Sequence, residues 1–162
     1  MARARHHWFV PALSLMLTLA LAVLPLPDAV ALLRPDWVAV VLLYWSLTAP
    51  RRFSLLTAFW MGLALDTLSG ALLGQNALAL LVIVYLAERF HLRLRVFPAS
   101  QLAVTVLILL GLYEFILFWI DGMAGRSVPL TERWAAPLTG TIVWLALSVF
   151  LDRGEREARA RL

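Results

Sequence analysis

Phe53 to Gly74 reads FSLLTAFWMGLALDTLSGALLG. It is an apolar run interrupted by one carboxyl, Asp66. Ala58, Gly62, Asp66, Gly70 and Gly74 recur at spacing four, which places them along one slowly drifting helix face. Small residues at that spacing let a second helix backbone come close. Asp66 lies about 20 Å along a helix that starts at Phe53. A carboxyl at such a depth in hydrocarbon costs several kcal/mol if it meets lipid, so it must turn toward protein or water. The stretch therefore reads as a helix in an apolar solvent, with a tight packing stripe and a buried acid on the same face. Ser69 sits beside them.

The rest of the chain fits that solvent. Of 162 residues, 62% are hydrophobic and 15% charged, with a mean hydropathy of +0.85. A water-soluble domain would be about a quarter charged. The expectation is an all-α polytopic membrane protein of six transmembrane helices in one domain, residues 1–162. The spans are read at 8–24, 37–49, 53–73, 77–90, 98–120 and 134–151. The first is stopped by Pro25 and Pro27. The second is short for a hydrocarbon core of about 30 Å, so it must borrow flanking residues, tilt little, or sit where protein shields it. Gln75-Asn76 is read as a tight turn that makes the third and fourth spans a helical hairpin. Trp8, Trp37, Trp119 and Trp134 near the span ends agree with an interfacial aromatic belt.

All 14 basic side chains are arginine. Arg3, Arg5, Arg51, Arg52, Arg89, Arg93, Arg95, Arg153, Arg156, Arg159 and Arg161 fall on the side of the N-terminus. Arg34, Arg126 and Arg133 fall on the other. The positive-inside rule makes the first side cytoplasmic and puts both termini there, in a multi-pass inner-membrane protein. A signal peptide is the rival reading of the first segment. The arginines cap apolar runs rather than form a stripe, which argues against nucleic acid as a partner. Cysteine is absent, so disulfide and thiol chemistry are excluded.

Glu114 is the second acid inside an apolar run, at a depth close to that of Asp66, with Gly111 and Tyr113 nearby. The two acids could share a proton or a cation, or each could meet its own donor. No arginine is an obvious partner within the spans, so a donor from another subunit is expected. The functional reading of the pair is ion coupling, substrate binding or catalysis. The structural reading, a polar clasp between helices, is preferred, because such pairs are common glue in bundles at about 0.6 kcal/mol each. Asp36 follows Pro35 where a carboxylate would cap the next helix; the alternative is contact with a partner. Arg89, Arg93 and Arg95 with His91 suit anionic lipid headgroups or a partner, and Arg51 and Arg52 are further candidate partner contacts. No metal-ligand spacing, nucleotide fingerprint or nucleophile motif occurs. No catalytic residue, metal site or cofactor is expected.

Several pieces carry a resemblance: Arg34-Pro35-Asp36-Trp37, Leu42-Leu43-Tyr44-Trp45, Pro50-Arg51-Arg52, and Phe59 to Asp66 with Ser69-Gly70 and Leu73-Gly74. The stretch Leu33 to Leu73 resembles the rod shape-determining protein MreD family. Ala58 stands where that family's Gly-Phe-x-x-Gly-x-x-x-Asp core has its first glycine, a small-for-small exchange. The resemblance implies a non-enzymatic inner-membrane scaffold of the cell-elongation complex. It would bind an MreC-like bitopic protein and, through it, an MreB-like filament, with a RodA-like polymerase and a penicillin-binding transpeptidase in the same complex. It also implies a fold like the membrane substrate-binding subunits of energy-coupling-factor transporters. The competing function is a small-molecule-binding subunit or transporter that uses Asp66 and Glu114.

Overall fold

The computed structural model describes residues 2–24, 34–48, 55–94, 97–126 and 130–160. Six α-helices are described: α1 (Ala2–Val23), α2 (Trp37–Thr48), α3 (Leu55–Ser69), α4 (Gln75–Leu94), α5 (Ala99–Met123) and α6 (Leu130–Ala160). The bundle is held in sequence by α1 on α2, α3 on α4, α4 on α5 and α5 on α6. Long-range packing sets α2 against α4 and α6 and α1 against α3.

Helix α2 is the axis of the bundle. Its sequence WVAVVLLYWSLT has no polar face, and Val38 through Tyr44 are all buried. A helix that is apolar all round belongs inside a fold, and of the three ways open to a short second span this is shielding by protein. Trp45 donates from Nε1 to Ser14 Oγ at 3.0 Å and ties α2 to α1. Gly140 lets α6 approach: a Cβ there would lie 2.9 Å from Leu110 Cδ1 of α5 and 3.1 Å from Val40 Cγ2 of α2.

The expectation of six crossing helices is overturned. Among the described residues, one helix, Ser100–Met123, is long and apolar enough to cross a membrane, with a mean hydropathy of 2.3. Val10–Val23, Trp37–Thr48 and Leu55–Ser69 are apolar but shorter. The reason is geometric: the 12 residues of α2 rise about 18 Å against a core of about 30 Å. Helix α4 is long enough, but Glu88, Arg89, His91 and Arg93 occupy its last turns. A six-span layout of the energy-coupling-factor type is therefore not what these helices support.

The α3–α4 connection also departs from expectation. Helix α3 stops at Ser69 rather than Leu73, and α4 already starts at Gln75. Gly70 and Gly74 form the turn with φ of 66° and 95°, a left-handed backbone that glycine adopts without steric cost. Ala71 N donates to Asp66 O at 3.1 Å and closes the end of α3.

Candidate functional site

Asp36, Asp66, Glu114, Asp121 and Arg133 gather at one end of the described bundle. That end holds the C-termini of α1, α3 and α5 and the N-termini of α2, α4 and α6. Antiparallel neighbours bring these termini together, so residues far apart in sequence meet.

Asp66, in the last turn of α3, is buried and fully engaged. Its Oδ2 accepts from Gly74 N at 2.8 Å. Its Oδ1 accepts from Asn76 N at 2.8 Å and Asn76 Nδ2 at 2.9 Å. These donors sit at the start of α4, where amides lack intrahelical partners and the helix dipole favours an anion. Asp66 therefore caps the following helix from the end of the preceding one. The same face carries Ala58 and Gly62, both buried. A Cβ on Gly62 would lie 2.2 Å from Ala77 Cα, so only glycine permits this approach of α3 to α4. Gly70 and Gly74 do not extend that stripe. Nothing lies within 4 Å of a Cβ built on either, and they serve the turn.

Glu114 meets an arginine of its own chain, contrary to the expected donor from another subunit. Arg133, near the start of α6, places Nε 3.5 Å from Glu114 Oε2, and its Nη2 donates to Asp121 Oδ2. All three side chains are buried. Gln75 Nε2 donates to Asp121 Oδ1 at 2.9 Å. Tyr113 Oη donates to Asn76 Oδ1 at 2.6 Å. The first two residues of α4 thus join both clusters: Asn76 reaches Asp66 and Tyr113, and Gln75 reaches Asp121 and through it Arg133. Asp66 and Glu114 share no proton or cation directly.

Asp36 does not act as the expected side-chain cap of α2. Its backbone oxygen accepts from Val40 N at 2.9 Å, while its carboxyl lies beside that of Glu114 and near Arg133 and Arg34. Burial pushes the Asp36 carboxyl above its ordinary value, against the pull of the Glu114 contact and the two arginines. Its Oδ2 is buried without a hydrogen-bond partner. Arg34 turns back on α1, where Nη2 donates to the carbonyls of Leu21, at 3.3 Å, and Ala22. These are orphan acceptors at a helix C-terminus, where a cation is favoured.

A cavity of about 270 Å³ opens beside these groups, lined among others by Arg34, Asp36, Trp37, Ser69, Asn76 and Tyr113. Neither Asp66 nor Glu114 lines it. Among the described residues no group of three or more His, Asp or Glu could hold a metal. Of the candidate partner contacts, Arg89 is exposed at the far end of α4. Arg51 and Arg52 lie outside the described residues, as does the side chain of Arg93.

Sequence reasoning missed Gln75, Asn76, Tyr113, Asp121 and Arg133 as members of one network. A signal for them existed. Gln75, Asn76, Asp121 and Arg133 lie at or near helix ends that an antiparallel order brings to the same side as Asp66, and Tyr113 is next to Glu114 in sequence.

Residues 2–153 match the family described as rod shape-determining protein MreD. The chain is 28% identical over 114 residues to the "Rod shape-determining protein MreD" of Haemophilus influenzae, covering 70% of each sequence. No solved structure matches.

Proposed function

Because the chain belongs to the MreD family of rod shape-determining proteins, we propose that it is an inner-membrane scaffold of the cell-elongation complex that binds an MreC-like bitopic partner and helps organise sidewall peptidoglycan synthesis. Its place in the bacterial rod-shape machinery follows from membership, and the chain is not an enzyme. The finer reading, direct binding of the MreC-like protein with the filament, polymerase and transpeptidase reached through it, rests on the family match over residues 2–153.

The helix exteriors support lateral association. Leu56, Phe59 and Trp60 on α3 and Ile108, Phe115 and Trp119 on α5 are large, apolar and exposed. Faces of that kind need lipid or a partner span. Residence in the inner membrane draws on the family and on the crossing-length helix Ser100–Met123. The transporter reading asks for a cavity that reaches both Asp66 and Glu114; the polar cavity at this end is lined by neither.

The test is affinity capture of the tagged full chain with its MreC-like partner, scored with cell shape on depletion. Depletion should give round cells that vitamin supplementation does not rescue, and wild-type protein should bring the partner down. Asp66→Leu, which takes the acceptor from the start of α4, should reduce both abundance and capture. Rescue by vitamins would favour uptake. Normal abundance and normal capture of Asp66→Leu would refute the role of the hairpin clasp in assembly.

A further inference from the structure

We propose that Asp36 and Glu114 bind one proton between them, and that this proton latches the start of α2 onto α5.

Two carboxyls are in hydrogen-bond contact here, one just ahead of α2 and one in α5. An ionised carboxyl only accepts, so two carboxylates cannot bond each other, whereas a protonated one carries an O–H donor. Asp36 Oδ2 is buried, and no N–H or O–H of the described residues reaches it. A buried acceptor left open is costly. A proton on Glu114 supplies the Asp36 carboxyl with its missing donor, while Glu114 Oε2 still faces Arg133 Nε at 3.5 Å. Burial and a neighbouring like charge both oppose ionising the second acid of such a pair.

The charges close on the same count. The groups that face the pair are Arg34 ahead of α2, Tyr113 and Asp121 of α5, and Arg133 of α6. Helix α4 brings the neutral Gln75 and Asn76 to this end, and α1 brings carbonyls that Arg34 holds. Asp66 of α3 stands outside the balance, because amides at the start of α4 answer it. Arg133 pairs with Asp121, and Arg34 lies near Asp36. Two carboxylates then balance two guanidinium groups, and the third carboxyl, that of Glu114, completes the set as a neutral acid. Asp36 also lines the cavity of about 270 Å³, which gives the proton a route to the pair. With the proton gone, two adjacent carboxylates repel where α2 begins, so the contact of α2 with α5 loosens as pH rises. The inference stands whether or not the chain binds an MreC-like partner.

The experiment uses the full chain in lipid nanodiscs at neutral pH and reads the infrared carbonyl stretch of a protonated carboxylic acid. Wild type should show it. Glu114→Gln keeps a donor for Asp36 but cannot titrate, and it should lose the stretch. Asp36→Asn offers Glu114 an amide donor in place of a shared proton, and it should lose the stretch too. Unfolding in detergent at several pH values reads the coupling to the fold. Unfolded carboxyls release their protons at about pH 4, so the folded wild type holds one proton more above that pH. Relative to Glu114→Gln, its folding constant should fall about tenfold per pH unit from about pH 5 upward, until the pair itself ionises. No acid stretch in wild type, a stretch that survives either substitution, or equal pH slopes in wild type and Glu114→Gln would each overturn the proposal. If neither variant folds, Glu88→Gln in the last turns of α4 decides. A stretch that persists there supports the pair, and one that vanishes belongs to Glu88 and overturns it.

Discussion

Asp66 and Glu114 read alike in the sequence, as lone carboxyls in apolar helices, yet the molecule treats them differently. Asp66 is answered within ten residues, by two backbone amides and one side-chain amide of the α3–α4 turn. Glu114 depends on Arg133 from the next helix, in a network where Asp36 Oδ2, Gln75 Oε1 and Arg133 Nη1 lack partners. The first site is satisfied, and its capacity is used up in holding a hairpin. The second is incompletely satisfied, and that leaves it capacity for something else. Burial alone did not distinguish them; the account of partners did.

The comparison can be broken by mutation. The largest effect is expected for Arg133→Met, which leaves Glu114 and Asp121 buried without their cation. It should lower stability by about 3–5 kcal/mol, read as lost helicity on heating in detergent. Gly62→Ala comes next. Its Cβ would meet the backbone of Ala77, and separating α3 from α4 should cost about 3 kcal/mol. A smaller loss of about 2 kcal/mol is expected for Asp66→Asn, which keeps the shape but removes the charge at the start of α4; it would show as a lower melting midpoint. Arg89→Ala removes an exposed charge outside both clusters and should leave the midpoint unchanged while testing partner or lipid contact by capture. An Asp66→Asn loss as large as that of Arg133→Met would erase the contrast between the two sites.

Much of the fold was legible because its causes are local. Apolar runs broken by proline, glycine and charge marked the six helices, and the Ala58–Gly62–Asp66 face announced a close helix contact, whose partner the structure gives as α4. Membrane crossing was not legible from hydropathy alone, because a helix as short as α2 satisfies its apolar surface inside the bundle. Spacing four also misassigned Gly70 and Gly74. Periodicity continues past a helix end, whereas the backbone there had turned left-handed. The Arg133 pair was missed for another reason. Arg133 was counted as a loop charge, and its approach to Glu114 depends on how α5 and α6 meet, which no single segment encodes. Gln75 and Asn76 were read as turn formers when they are the first residues of α4 and the link between both clusters.

Glu114 and Asp121, buried acids of α5, meet Arg133 of the same chain. A double-mutant cycle tests the Glu114 contact most directly, by comparing the unfolding midpoints of wild type, Arg133→Met, Glu114→Gln and the double variant in the same lipid. The double variant should be more stable than Arg133→Met alone, because a buried acid left without its arginine has been removed with its partner. Strictly additive losses would show that the two side chains do not meet.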